Sequence, residues 1–388
     1  MNGRLDVKKE KGDVVHDLVF YKNKYYLYWP PVTALVYIPL KAVFKGNIHV
    51  HLVTASFGAI NVALFALILI LFSSRYNINL RYRETIFLII FWAFGTVHFY
   101  MSMTGAVWFM SQISAQAFLL ASIAVMLTGI SPGRLALSGL FFAFSVYTRN
   151  DLVFSFFLFA AVYYTMNKNA RIKTHISNAV IFLGFFFVFS FLNMWYNAAR
   201  FDGRIFDNGI KYHLMSDYFR ENFEKYGFFS PVYLLRNFYV EVIKPIPIYV
   251  VFPFFKCEPG GFGFLWASPL FFLLFPAGYF YGKSMKKVIN NNNSVKNRLL
   301  KADDLIVMTG AALSAVFTAL VIFMIMGSGW MQFGARYTLD FHIMLLIFML
   351  FALKVIRGRK FYIAALILIS ISVYINYFGA RIFNGYGI

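Results

Sequence analysis

Long apolar runs alternate with short polar loops along most of this chain. About ten of the runs reach or approach the length of about 17–23 residues that spans a bilayer as an α-helix. They lie near 52–72, 84–102, 107–129, 134–148, 151–166, 174–195, 262–282, 305–326, 334–353 and 361–378. The pattern predicts an all-α fold, a polytopic transmembrane helix bundle of about ten spans. The fourth and fifth predicted spans are the shortest.

Lysine and arginine are concentrated in alternate loops between these runs. The basic loops are 75–83, the turn at Arg134, 168–173, 283–301 and 354–360. Short basic loops stay on the cytoplasmic side of a membrane. The other connections therefore belong to the outer face. We expect an outer-face first loop with an interfacial helix (1–50), transmembrane helices (51–195), an outer-face loop region (196–261) and further transmembrane helices (262–388).

The composition fits a chain covered by lipid. Of 388 residues, 60% are hydrophobic and only 13% are charged, whereas about 25% are charged in soluble domains. The formal net charge of +20 is largely the charge of the cytoplasmic loops, which meets anionic membrane lipids, so we expect no nucleic-acid partner. The sequence has no metal-ligand spacing, phosphate-binding loop or dinucleotide fingerprint. No cofactor is therefore predicted, and a divalent metal has no support.

The first outer-face segment combines carboxylates with aromatic rings. Asp6 and Asp17 precede a cluster of tyrosines and Trp29, and such rings lie at the headgroup level of a bilayer. The run 21–25 predicts a tight turn between two short extended pieces, and a short interfacial helix is expected over about 32–45. The segment is either an aromatic anchor with solvated charges or the support of a catalytic carboxylate above the bilayer.

No apolar run precedes this outer-face segment. Either the N-terminus crosses the membrane unaided, or the chain lacks a helix that would come before it. We favour the missing helix, because no signal-peptide pattern is present.

Further polar side chains lie at the outer ends of the predicted spans. Gln112 and Gln116 share one helical face and either bond a neighbouring helix or face a cavity. His98 is an interface anchor or a substrate contact. Arg149 either forms a local salt bridge or points at a phosphate, which suits its planar guanidinium. Arg336 either pairs with Asp340, four residues later, or contacts a phosphate or sugar.

Several short motifs in these outer segments occur together in one known class of enzymes. They are His16-Asp17-Leu18, Tyr21-Lys22-Asn23-Lys24-Tyr25-Tyr26, Trp29-Pro30-Pro31, Gly95-Thr96-Val97-His98, Gly105-Ala106-Val107-Trp108 and Phe333-Gly334-Ala335-Arg336-Tyr337-Thr338-Leu339-Asp340. In these motifs the chain resembles the membrane glycosyltransferases of the GT-C class, among them the dolichyl-phosphate-mannose protein mannosyltransferases and the lipid A aminoarabinose transferases. Members of this class begin with a transmembrane helix before the first outer loop, and we expect that this helix is the one missing here.

The resemblance implies an enzyme of a prokaryotic cell membrane with its catalytic loops on the outer face. It would transfer a sugar from a polyprenyl-phosphate donor to a hydroxyl of a glycan, lipid or protein acceptor. A carboxylate of the first loop would be the general base, at Asp17 or alternatively at Asp6. The substrate-binding residues implied are Lys24, His98, Trp108, Arg149 and Arg336. The alternatives are a transporter or flippase for lipid-linked glycans and a catalytically inactive membrane subunit.

Overall fold

The structure, a computed structural model, describes residues 4–8, 18–45, 48–290, 300–329 and 332–385. It is mostly helical. The α-helices in these residues are α1 (Val32–Phe44), α2 (Val50–Tyr76), α3 (Tyr82–Phe94), α4 (His98–Met103), α5 (Val107–Thr128), α6 (Pro132–Val146), α7 (Phe156–Asn167), α8 (Ile172–Arg200), α9 (Asp217–Tyr226), α10 (Leu234–Phe238), α11 (Phe264–Ala267), α12 (Leu274–Ile289), α13 (Ala302–Phe323), α14 (Leu339–Ala352) and α15 (Arg359–Phe383). Two pairs of short strands complete the fold: β1 (Val19–Tyr21) with β2 (Lys24–Tyr26), and β3 (Gly260–Phe262) with β4 (Gln332–Gly334).

Five helices in the described residues are long and apolar enough to cross a membrane, namely α2, α5, α8, α13 and α15. The other five predicted spans are shorter or interrupted helices. For example, the run 84–102 is divided into α3 and α4, and the run 334–353 begins with β4 and a 3₁₀ turn before α14. The helical fold and the membrane-spanning character of the chain agree with the sequence. The count of ten spans stays a prediction.

Two of the long helices expose their apolar side chains rather than burying them. Helix α8 packs mainly on α6 and leaves Val180, Phe191 and Trp195 exposed. Helix α15 likewise exposes Ile363 and Ile367. Exposed apolar surface of this extent needs a cover, and lipid chains are the natural cover for helices of this length.

Helices α5 and α14 form the centre of the bundle. Helix α5 packs between α2 and α6, while α14 packs against α12 and α13. Small residues allow two of the helix contacts to be close. A Cβ added at Gly139 of α6 would lie 2.0 Å from the Phe182 carbonyl oxygen of α8, and one at Gly310 of α13 would lie 2.7 Å from the Phe157 carbonyl oxygen. Glycines at such points let two backbones approach without side chains between them.

The basic loops meet at one end of the bundle, which we call the basic end. Lys168 binds Asp303 at 3.0 Å, and Lys354 binds Asp304 at 2.6 Å. Arg357 donates from Nη2 to the main-chain oxygen of Ile78 at 2.6 Å. These contacts join loops 75–83, 168–173 and 354–360 to the start of α13. The grouping of basic loops on one side, which was inferred from charge, is therefore also a grouping in space.

The first loop lies at the opposite end, which we call the hairpin end. Strands β1 and β2 pair in an antiparallel hairpin, and Lys22 and Asn23 between them have positive φ angles of 47° and 60°. Two consecutive residues with positive φ angles form a tight turn whose twist matches that of the paired strands. The run 21–25 predicts such a tight turn. The hairpin packs on the residues that follow α8, because Leu214 N donates to the Leu18 oxygen at 2.9 Å and Lys22 binds Asp202 at 2.7 Å. Helix α8 thus runs from the basic end to the hairpin end.

Candidate functional site

A buried carboxylate at the start of α14 organises the hairpin end of the core. Asp340 is fully buried, and its Oδ2 accepts from Arg149 Nη2 at 2.6 Å and from Arg149 Nε at 3.1 Å. Gln112 Nε2 donates to the same oxygen at 3.2 Å, and Gln116 Nε2 lies 3.5 Å from Oδ1. The glutamine pair predicted from its spacing therefore bonds across helices. This cluster fixes α5 and the turn after α6 against α14.

Of the two alternatives for Arg336, the pair with Asp340 is wrong, and the contact with a phosphate or sugar stays a prediction. The i,i+4 spacing brings two side chains together only on an α-helix. Here Arg336–Thr338 is a 3₁₀ turn, and α14 begins only at Leu339. Asp340 binds Arg149 instead, while the main-chain oxygen of Arg336 accepts from Gln112 Nε2 at 3.1 Å.

The parallel strand pair places Arg336 at this site. Strand β4 pairs with β3, and beyond it Ala335 N donates to the Phe262 oxygen at 3.0 Å. The main-chain N–H of Arg336 donates to Gln332 Oε1 at 3.2 Å. Gly334 is needed for this approach, since a Cβ there would lie 2.9 Å from Val97 Cγ1. The backbone around Arg336 is thus held on both sides before any ligand binds.

The guanidinium of Arg336 is buried but mostly unpaired. Arg336 is only 7% exposed, and its Nε and Nη1 atoms have no hydrogen-bond partner among the described residues. Only Nη2 reaches an acceptor, Tyr337 Oη, at 3.4 Å. The guanidinium lies 4.6 Å from the ring centre of Tyr337 and 5.9 Å from that of Trp108. A desolvated cation with two free donors is suited to an anion that can accept both.

A second buried titratable group, the carboxyl group of Glu241, interacts electrostatically with Arg336. Glu241 is fully buried, and both of its carboxylate oxygens lack a partner within the described part of the chain. Burial raises the pKa of Glu241 well above its usual range, and the charge of Arg336 works against that rise. Glu241 belongs to the π-helical turn Tyr239–Ile243, a kind of turn that is frequent at functional sites.

The sequence analysis did not single out Glu241. The feature of the sequence that could have identified Glu241 is its position as the one acidic residue in the aromatic and β-branched run 238–243. A carboxylate inside such a run is expensive to bury without a partner, so it is a candidate for function by the same argument that selected the arginines.

The other predicted site residues lie in different surroundings. His98 is buried, with Nε2 at 3.3 Å from Asn61 Nδ2 and its ring against Trp92. Lys24 is exposed on β2. Asp6 accepts from Arg4 Nε at 3.2 Å, and this bond lowers the pKa of the Asp6 carboxyl. Asp17, the predicted base, lies outside the described residues.

The structure therefore brings together three of the predicted substrate-binding residues. The ring centre of Trp108 lies 5.9 Å from the Arg336 guanidinium. The Arg149 guanidinium lies 5.5 Å from the ring centre of Tyr337, which Arg336 also contacts. Within the described ranges, no group of three His, Cys, Asp or Glu side chains could hold a metal ion. The arrangement could bind an anion, since Arg149 is paired with Asp340 and Asp151 while Arg336 Nε and Nη1 have no partner among the described residues. Comparisons of the chain with protein-family models, with curated proteins and with solved structures find no match.

Proposed function

We propose that this chain is a membrane glycosyltransferase that uses a sugar donor linked to a polyprenyl phosphate. Its acceptor would be a hydroxyl of a glycan, a lipid or a protein. The observation that carries the proposal is the Arg336 guanidinium, buried beside aromatic rings with two nitrogens unpartnered among the described residues. The resemblance of the outer-segment motifs to the GT-C class supplies the choice of donor.

The position of Arg336 suits the head of a lipid-linked donor. The chain reaches Arg336 after α13, which starts at the basic end, and then turns back into the bundle as α14. By the positive-inside rule, the hairpin end faces outward. A polyprenyl carrier would keep its tail among the exposed apolar helices and its phosphate near the outer surface, and we propose that Arg336 meets the phosphate there. The aromatic rings of Trp108 and Tyr337 would pack on the sugar or the first isoprene units.

The reaction would be a substitution at the anomeric carbon. A carboxylate takes the proton from the acceptor hydroxyl, the oxygen forms a bond to the anomeric carbon, and the bond from that carbon to the phosphate oxygen breaks. The polyprenyl phosphate leaves with the electron pair. Arg336 would stabilise the charge gained by the leaving phosphate, and a fixed cation in a water-poor site is effective in this role.

Asp17 is our first choice for the base, and Asp6 is the alternative. The bond from Arg4 lowers the pKa of Asp6, which makes it a weaker base, since a general base is most effective with a pKa near the working pH. Asp17→Asn should lower the transfer rate by about 10²–10⁴-fold. If Asp6→Asn abolishes transfer while Asp17→Asn leaves it intact, the role passes to Asp6, and if both variants stay active, the carboxylate mechanism of the first loop is wrong.

The phosphate contact can be tested without knowing the acceptor. Polyprenyl phosphate should raise the thermal midpoint of the purified protein, and the uncharged polyprenol should not. Arg336→Gln should abolish this shift, and Arg336→Lys should weaken it because the bidentate fork is lost. Arg236→Gln removes an exposed arginine of α10 at the same end of the bundle and should leave the shift unchanged. An equal shift in wild type and Arg336→Gln would refute the assignment.

A further inference from the structure

A wide groove opens at the basic end between the starts of two helices. It has a volume of about 980 Å³ and is lined on one side by the start of α3 and on the other by the chain that enters α15. Its cationic lining residues are Arg81, Arg83, Lys354, Arg357 and Arg359. Arg336 and its neighbours line no part of this groove, which belongs to the opposite end of the bundle.

The positive charge of the groove is largely uncompensated. Arg83 and Arg359 are exposed and make no ion pair with any described residue. Two of the cations are paired with carboxylates, because Lys354 binds Asp304 and Arg81 Nε lies 3.7 Å from Glu84 Oε1. Arg357 donates its hydrogen bonds to main-chain oxygens, among them that of Asn79 at 2.9 Å. The groove therefore presents several cations to whatever enters it.

The one carboxylate in the lining is already engaged. Glu84 is buried, accepts from the Arg81 main-chain N–H at 3.0 Å and accepts a further bond from the Tyr362 hydroxyl. It caps the start of α3 and ties that helix to α15. Both helices begin at the groove, so the positive ends of two helix dipoles add to the side-chain charge.

An apolar slot continues from the groove into the helices. It has a volume of about 70 Å³ and shares Phe87, Tyr362 and Leu366 with the groove. Beyond them its wall is made of Leu88, Ala365 and Ile369, with further aliphatic residues of α12 and α14. A cationic groove that leads into an apolar slot fits a ligand with an anionic head and a hydrocarbon tail.

We propose that this groove binds the headgroup of an anionic phospholipid and that the slot receives the start of an acyl chain. Charge complementarity selects this occupant over a zwitterionic lipid. The position agrees, because the basic end is the cytoplasmic end by the positive-inside rule, and anionic lipid there attracts basic segments. The site is separate from the proposed donor site and does not depend on the proposed transferase activity.

The test compares two lipids that differ only in the headgroup. Phosphatidylglycerol or phosphatidylcholine with the same acyl chains is titrated into the detergent-purified protein, and the thermal midpoint is followed. Phosphatidylglycerol should raise the midpoint with a saturating dependence, and phosphatidylcholine should not. The double variant Arg83→Gln/Arg359→Gln should need about thirtyfold more phosphatidylglycerol, at about fivefold per cation. Both side chains are exposed, so the variant should fold with an unchanged midpoint when no lipid is added.

A matched control separates a built site from diffuse surface charge. Arg171→Gln/Lys173→Gln removes the same charge from exposed positions at the same end, outside the groove. This control should titrate like the wild type. An equal loss in the control would overturn the proposal in favour of nonspecific attraction. An equal response to phosphatidylcholine would overturn the headgroup assignment, and an equal response to glycerol 3-phosphate alone would show a site for a free phosphate rather than for a lipid.

Discussion

The same substitution at two arginines of the hairpin end should change the stability of the protein by very different amounts. Arg149 has its hydrogen bonds satisfied by Asp340, whereas two nitrogens of Arg336 have no partner in the described residues. If Arg149 serves the fold and Arg336 serves a ligand, Arg149→Gln should destabilise the ligand-free protein, and Arg336→Gln should change its stability little.

The structure allows the two magnitudes to be worked out. Arg149→Gln leaves the Asp340 carboxylate, which is fully buried, without its cation, and breaking a buried pair on one side costs about 3–5 kcal/mol. Arg336→Gln removes cation–π contacts worth about 0.5–2 kcal/mol. The same change relieves the burial of unpaired donors, which costs about 1–3 kcal/mol. These effects of Arg336→Gln oppose each other, so we expect a net change within about 1 kcal/mol.

The free energy of unfolding is measured in mixed micelles, where unfolding is driven by increasing the fraction of denaturing detergent. No lipid-linked sugar is present. A double-mutant cycle of Arg149→Gln with Asp340→Asn should give a coupling of about 1–3 kcal/mol. The exposed pair of Lys168 with Asp303 is the matched control, and its cycle should give about 0–1 kcal/mol.

Two results would refute this reasoning. If Arg336→Gln destabilises the protein as much as Arg149→Gln, Arg336 is a structural residue and its free nitrogens do not mark a ligand site. If the Arg149–Asp340 coupling is no larger than that of the exposed control pair, the buried cluster does not hold the helices together as we describe.

Three further predictions test the orientation, the packing and the titration of Glu241. Cysteine at position 23, in a variant without the native cysteine, should react with an impermeant thiol reagent in intact cells, and cysteine at position 169 should react only after permeabilisation; the reverse result would invert the topology. Gly139→Ala should destabilise the fold by about 1–3 kcal/mol, because the backbones of α6 and α8 must separate, whereas Gly184→Ala, where the added Cβ meets open space, should be neutral or stabilising; equal effects would contradict the close contact. Burial raises the pKa of Glu241 in the folded state above its ordinary value of 4.5, so ionisation of Glu241 in the unfolded chain favours unfolding as the pH rises above about 4.5. Glu241→Gln should therefore stabilise the protein at neutral pH, and this gain in stability should vanish below about pH 4.5. A gain in stability that does not depend on pH would show that the Glu241 carboxyl does not titrate in this way.

The sequence predicted those parts of the fold that depend on local chemistry. Apolar run length located α2, α5, α8, α13 and α15 within a few residues. The run 21–25 predicted the hairpin turn, since Lys22 and Asn23 adopt the positive φ angles that such a turn requires. Alternating basic loops predicted a common side, and the contacts of Lys168, Lys354 and Arg357 place those loops together.

The local salt bridge that was one alternative for Arg149 is present, since Arg149 Nε lies 3.4 Å from Asp151 Oδ1, but the sequence could not predict which distant charges would pair. Arg149 and Asp340 are 191 residues apart, and no local spacing indicates that one will satisfy the other. The pair of Arg336 and Asp340, one of the two alternatives for Arg336, relied on helical periodicity in a stretch where β3 pairs with β4 and a 3₁₀ turn follows. Tertiary contact thus decided the local geometry and, with it, the partner of each charge.

The placement of unpaired charge is what distinguishes the hairpin end from the rest of the interior. Elsewhere, buried acidic groups are matched: Asp304 binds Lys354, and Glu84 receives bonds from Arg81 and Tyr362. Arg336 and Glu241 are each buried with polar atoms that have no partner among the described residues, and the charge of Arg336 opposes the rise that burial causes in the Glu241 pKa. Folding alone would favour a direct bond between them, because an unmet buried charge costs far more than a paired one. The β3–β4 pairing holds the backbone that leads into Arg336, and the π-helical turn carries Glu241. Under the proposed function, the two Arg336 nitrogens that have no partner among the described residues would bond a phosphate without first breaking an internal ion pair.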